Sequence, residues 1–214
     1  MDQSHIQAYI SKGLAKAASI LGTGLTQYRP VTTMDPVLAG SAIGTVMCVV
    51  EVNAGFTFAS PVPPGHPFAF LLADPGLLQS GDYLIGTDTY FVSRIEPLQP
   101  AWCVLCNMTL DILDTAQSSS AGSNSYGGMT SANNTLLARG WPMSMLAKTR
   151  GEQDVTKLPS DTRSAFFEIF MPTIPGLTLG LGLCLRDQNA QVYVVMSFET
   201  TAYGCKLIAG LATT

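Results

Sequence analysis

Histidine is nearly missing from this chain: there are two in 214 residues, His5 and His66. A Ser-His-Asp or Cys-His centre must therefore use one of them. Neither is accompanied by a Gly-x-Ser-x-Gly elbow or another nucleophile signature. Charge is also scarce. Asp, Glu, Lys and Arg together make up 12 % of the residues, about half the usual share of roughly 25 %. The net charge of −4 gives no general basic footprint for nucleic acid. Long apolar runs are lacking too. Gly, Pro or Asp interrupts each one well short of the roughly 20 residues that cross a bilayer. Met1 to Ile10 is polar without an apolar centre, so no secretory signal peptide and no membrane span are expected.

What is present is apolar. Hydrophobic residues reach 47 %, which excludes disorder for most of the chain. A small monomer usually carries more surface charge than this, so the shortage points to surface covered by neighbouring subunits. Twenty Gly and thirteen Pro favour a turn-rich β protein over a helix bundle. The five cysteines are Cys48, Cys103, Cys106, Cys184 and Cys205. An odd number without a secretion signal is expected for reduced, buried thiols made in a cytoplasm.

One helix is expected, from His5 to Leu21. Ile6, Tyr9, Ile10, Leu14, Ala17, Ala18 and Leu21 recur at helical spacing. Ser4 is the expected N-cap, and Gly22 and Gly24 the stop. Tyr28-Arg29-Pro30 opens an extended segment. Strands are expected at Val46–Val52, Phe68–Leu72, Asp82–Ile85, Thr89–Ile95 and Trp102–Leu113. More follow at Ala165–Met171, Leu183–Arg186, Gln191–Phe198 and Lys206–Leu211. Pro61 to Pro67 reads as a stiff loop. Residues 117–135, rich in Ser, Gly and Asn, read as a flexible linker or long loop.

The two halves repeat a pattern. Phe68 to Leu77 parallels Phe167 to Leu177, each a strand running into Pro-Gly-Leu. A Gly-marked step follows, Gly81 in one half and Gly180 and Gly182 in the other. A hairpin with Asp88 or Asp187 in its turn leads to Tyr90-Phe91-Val92 or Tyr193-Val194-Val195. The expected fold is therefore mainly β: an N-terminal helix, then two similar small antiparallel β-barrel or sandwich units. Closure would remove strand edges that are hazardous in so apolar a chain. The expected division is 1–30 for helix and arm, 31–116 for the first unit, 117–135 for the linker and 136–214 for the second unit.

Candidate chemistry is thin. Cys103-Val-Leu-Cys106 has no second ligand pair for zinc. Residues three apart on a strand point to opposite faces. Asp111 and Asp114 would meet only on a helix, and Glu152 and Asp154 lie in a charged loop. Gly22-Thr23-Gly24 falls short of a phosphate-binding fingerprint. No catalytic, cofactor-binding or metal residue is assigned. Lys12 and Lys16, four apart on one helix face with Arg29 nearby, are suited to DNA phosphates or an acidic partner, or to a plain solvated face.

The order of these pieces carries a resemblance. The helix into Leu21-Gly22 is followed by Tyr28-Arg29-Pro30. Next come Gly81-Asp82-Tyr83-Leu84-Ile85-Gly86 with Thr89-Tyr90-Phe91-Val92, then Pro97-Leu98-Gln99-Pro100. Gly140-Trp141-Pro142, Thr149-Arg150-Gly151-Glu152, Leu158-Pro159-Ser160-Asp161, Ile174-Pro175-Gly176 and the Tyr193-Val194-Val195 hairpin complete it. Together they resemble tailed-bacteriophage virion structural proteins of the neck and tail, of head-closure or head–tail connector type. The resemblance implies a non-enzymatic protein without cofactor, assembled in the bacterial host cytoplasm into the virion. It implies a sixfold or twelvefold ring between the portal or adaptor side and distal tail proteins, through which DNA passes without specific binding. The rival expectations are a tail-fibre or hub adaptor, a hydrolase using His66, and a small-molecule-binding barrel.

Overall fold

The computed structural model describes residues 2–51, 67–115, 134–148 and 166–212. Helix α1 spans Gln3–Leu21 and starts two residues earlier than expected. Asp2 is the N-cap residue, and its carbonyl accepts His5 N–H at 3.0 Å. Ser4 lies inside the first turn, where its Oγ donates to Asp2 Oδ2 at 2.8 Å. At the far end Gly22 N–H donates to the Ala18 carbonyl at 2.8 Å and the chain turns extended. The helix lies on strands β2 (Ala42–Glu51) and β3 (Phe68–Leu72). Gln7, Ile10, Ser11, Leu14 and Ala18 form its less exposed stripe, and Ala18 alone is fully buried.

The remaining strands are β1 (Thr23–Tyr28), β4 (Tyr83–Ile85), β5 (Thr89–Arg94) and β6 (Ala101–Cys106) in the first half. The second half has β7 (Met108–Thr115), β8 (Asn134–Lys148), β9 (Phe166–Met171), β10 (Cys184–Arg186), β11 (Val192–Thr201) and β12 (Gly204–Leu211). They close into two six-stranded antiparallel barrels. The first runs β1-β2-β3-β6-β5-β4, and the second, read the same way, β7-β8-β9-β12-β11-β10. The strand order is identical, so the expected mainly β fold of a helix and two similar barrels is what the chain forms.

Hydrogen bonds fix the residue-by-residue match. Gly81 N–H donates to the Val92 carbonyl and Gly182 N–H to the Val195 carbonyl, at 2.8 and 3.1 Å. Both glycines sit at positive φ, +92° and +81°, where a side chain would be strained. Each return strand then shifts register one residue on, between Val92 and Arg94 and between Val195 and Ser197. Pairing also corrects the expected alignment of the first strands. Ala69 pairs with Cys103 and Phe167 with Ala209, so Phe68 matches Phe166, not Phe167. The loop before Pro-Gly-Leu differs in length between the halves and hides this.

β2 starts at Ala42, four residues before the expected Val46, and β8 is a strand that was not expected; three further differences bear on how the barrels are built. β1 belongs to the first barrel, although its sequence Thr-Gly-Leu-Thr-Gln-Tyr has little strand patterning. The stretch expected as one strand, Trp102–Leu113, is two strands in different barrels, broken at Asn107. Asn107 completes the crossing: its Nδ2 donates to the Met145 carbonyl and its Oδ1 accepts Met145 N–H, both at 2.8 Å. The chain therefore enters the second barrel before the Ser/Gly/Asn stretch. That stretch connects β7 to β8, two strands of one barrel, not one barrel to the other. Apart from Asn134 and Thr135 in β8, it lies outside the described residues.

The barrels share a core. Tyr83, Phe91 and Val104 of the first pack into the apolar cluster of the second, with Trp141, Met143 and Ile169. A smaller cluster around Leu71, Leu84, Val92 and Cys103 fills the first barrel itself.

Candidate functional site

The candidate reactive groups do not converge. His5 is exposed on the first turns of α1, edge-on to Tyr9 with ring centres 4.9 Å apart. His66, Glu152 and Asp154 lie outside the described residues. Cys103 is in the interior of the first barrel while Cys106 packs toward the shared core, on opposite faces of β6. All five cysteines are free. Burial pushes the Cys48 thiol up to about 11 and Cys103 up to about 12, and raises Cys106 and Cys184 as well. Such thiols are protonated and poor nucleophiles at neutral pH. Among the described residues no group of three or more His, Cys, Asp or Glu is placed to hold a metal.

The charged residues singled out in the sequence serve other ends. Arg29 does not join Lys12 and Lys16. Its Nε and Nη2 donate to the two oxygens of Asp82, each at 2.7 Å. Asp82 is buried and also accepts Gln27 Nε2 at 2.7 Å and Gln79 N–H at 2.7 Å. This network ties β1 to the loop before β4, and no motif in the sequence announced it. Gly22-Thr23-Gly24 ends a helix and begins a strand, so it presents no helix N-terminus to an anion. Asp111 faces away from a dyad: it accepts Gly140 N–H at 3.0 Å and Arg186 Nη2 at 2.8 Å. Asp114 is exposed farther along β7.

The built region of the molecule is the junction between the barrels. Tyr83, fully buried, donates its hydroxyl to the Pro142 carbonyl at 2.8 Å and packs near Trp141, ring centres 6.1 Å apart. Burial holds the Tyr83 phenol well above its ordinary pKa, so it remains a donor. Phe68 of β3 meets Phe170 of β9 edge-on at 5.0 Å. Ser93 Oγ donates to the Tyr203 carbonyl at 2.7 Å, and the Arg94 guanidinium lies over the Tyr203 ring at 4.7 Å.

A strap adds to this. The chain between β1 and β2 leaves the first barrel and lies along β8. Asp35 N–H donates to the Arg139 carbonyl at 2.8 Å, and Arg139 N–H to the Thr33 carbonyl at 3.2 Å. Arg139 Nε lies 3.1 Å from both Asp35 oxygens. Trp141 Nε1 donates to the Thr33 carbonyl at 2.6 Å. Gly140 permits this approach, because at φ +71° any Cβ would stand 2.8 Å from Asp35 Oδ1. The Gly-Trp-Pro run noted in the sequence is thus the seat of the strap.

Two open clefts of about 240 Å³ each flank the junction. One is walled by Ile174, Leu177, Leu179 and Phe198, the other by Phe68, Phe91, Phe170 and Tyr203 with Glu199 and Lys206 at its edge. Outside the junction, large apolar side chains stand in solvent: Tyr9, Ile20 and Leu21 on α1, Ile43 and Met47 on β2, and Leu181, Met196 and Phe198 on the second barrel. No helix among the described residues is long and apolar enough to cross a membrane. No family model, no curated protein and no solved structure matches this chain.

Proposed function

We propose that this protein is a non-enzymatic virion component of a tailed bacteriophage, a ring subunit at the head–tail junction or in a short tail. In this role it joins the portal side to distal tail parts. The observation that carries the reading is the pairing of two barrels that share a core with apolar surface left bare. Among the described residues seventeen large hydrophobic side chains are exposed, in a chain with 12 % charge. Scattered apolar residues are ordinary on a surface, but contiguous ones mark contact sites. Subunits of closed assemblies cover such surface with their neighbours. The order of sequence pieces from the N-terminal helix to the Tyr193 hairpin supports the neck and tail placement. A net charge of −4 suits a channel that DNA traverses without binding.

The test is the native mass of the purified chain, together with its copy number in phage particles that contain it. A closed ring in solution, or a fixed ring copy number in particles, is the expected result. A stable monomer absent from particles overturns the proposal.

A further inference from the structure

We propose that α1 is an exchangeable arm: in the assembled ring it leaves its own first barrel and takes the same seat, on β2 and β3, of a neighbouring copy. The proposal deepens the ring reading and rests on it for the assembly that the arms link.

The argument starts from what covers one face of each barrel. Val49 pairs with Leu72 in the first barrel, and Ser144 with Phe170 in the second. Phe68 matches Phe166, so Leu72 matches Phe170 and Val49 matches Ser144. Two residues back, Met47 matches Pro142. Leu72 and Phe170 point outward, because Leu71 and Ala73 fill the first barrel and Ile169 and Met171 the second. In the second barrel this face is covered by the first barrel, with Phe68 edge-on to Phe170 and Tyr83 bonded to Pro142. In the first barrel it is covered by α1, and Leu72 is 5 % exposed. Equivalent faces thus carry a whole barrel in one case and a single helix in the other.

The two covers are held differently. Barrel is fastened to barrel by the Tyr83 and Ser93 hydroxyls, by Arg94 over Tyr203 and by the strap. Of the nineteen residues of α1, only Ala18 is fully buried. Ile10, Leu14 and Ala17 are half-buried. Among the described residues, one hydrogen bond joins a helix side chain to a barrel: Leu98 N–H donates to Gln7 Oε1 at 2.7 Å. No ion pair among them involves α1, and Lys12 and Lys16 have no acidic partner. Elements held by few buried contacts open at the lowest cost in free energy.

The joint after α1 suits exchange. Gly22 and Gly24 flank Thr23, and glycine redirects a backbone most freely. β1 is paired with β2 from Thr23 onward, so the joint is short, and short joints invite exchange between copies. A face vacated by one α1 fits the α1 of another copy without any new docking surface. Each copy gives one helix and receives one, so the exchange runs around a closed ring. Ile20 and Leu21, each 68 % exposed, stand at the joint, where two exchanging chains pass each other. No charged residue occurs from Ala17 to Tyr28, as suits the centre of a contact between chains.

The test uses the full chain with single substitutions on the two sides of the Gln7–Leu98 contact. Gln7→Cys and Leu98→Cys chains are produced together in one cell, and the purified protein is treated with a short bismaleimide. A covalent two-chain product on a denaturing gel is expected. It should be absent from either variant produced alone and from the unaltered chain. A chain carrying both substitutions should give a ladder of linked chains. Any result without an inter-chain product, including links confined to single chains, overturns the exchange. Ala18→Glu supplies a second readout. Ala18 belongs to neither barrel's core cluster, so the strand signal in circular dichroism should be unchanged while sedimentation shifts from ring to monomer. Assembly that Ala18→Glu leaves intact also overturns the exchange. Rings that form without inter-chain links overturn the exchange and leave the ring reading standing. Copy number in particles decides the ring reading separately.

Discussion

The same corner of the two barrels is built from opposite chemistry. In the first, Asp82 is buried beneath Gln27 and Arg29. In the second, its match by hydrogen bonding is Leu183, also buried, and the match of Gln27 is Ile112. The second barrel has an ion pair one step away, Arg186 to Asp111 at 2.8 Å, where both side chains meet solvent. The strand order is indifferent to this exchange. Closure, glycine turns and the register shift in the return strand are common to both, whereas the polarity of the corner is not. The topology therefore rests on backbone devices and on alternation of inward positions. The buried ion pair fastens one particular loop.

The contrast can be broken most severely at Trp141. Its match in the first barrel is Val46, one residue before Met47. Trp141→Ala should cost about 4 kcal/mol, from lost burial, a cavity and the freed Thr33 carbonyl. Val46→Ala should cost about 2 kcal/mol. Urea unfolding of the two variants checks this, and equal losses would show that the strap and junction add nothing at Trp141.

Asp82 gives the next effect. Asp82→Ala leaves the buried Gln27 amide with the Leu77 carbonyl but without its carboxylate acceptor, strips a half-buried guanidinium of its partner, and should cost about 3 kcal/mol. Replacing the network by apolar groups, Gln27→Ile and Asp82→Leu as in the second barrel together with Arg29→Met, should bring stability back to within about 1 kcal/mol of the original. If the triple variant is as weak as Asp82→Ala, the corners are not interchangeable.

The smallest effect is expected at the strap. The hydrogen-bonded Arg139 guanidinium lowers the Asp35 carboxyl below its ordinary range. A depressed folded-state value contributes stability above the unfolded value, about 4, and that contribution disappears as pH falls through the folded value. The thermal midpoint of Asp35→Asn should lie slightly below that of the unaltered chain at pH 7. The two should converge below about pH 3. A gap that persists in acid would assign the effect to shape, not charge.

Much of this architecture was legible in the residues. The helix, most of the strands and the repeat follow from apolar spacing and from Pro-Gly-Leu and glycine punctuation, which act locally. β1 escaped notice because two threonines and a glycine replace the usual apolar alternation, and only Leu25 and Gln27 turn inward. The break at Asn107 was hidden because strands of both barrels are equally apolar on either side of it. Matching Phe68 to Phe166, one residue before the expected Phe167, needs pairing partners that lie more than thirty positions away. The junction was least legible. Tyr83 and Pro142 are 59 positions apart, and Arg29 and Asp82 are 53 apart, distances over which no local pattern speaks.

The strap has a consequence for how the molecule is made. Thr33 waits for Trp141 across 108 positions of chain. At about 5–20 residues per second, a ribosome needs on the order of 5–20 s to deliver that partner. All six strands of the first barrel emerge before it does. The first barrel is thus finished with one of its connections still open, and Trp141 is the latch that closes it.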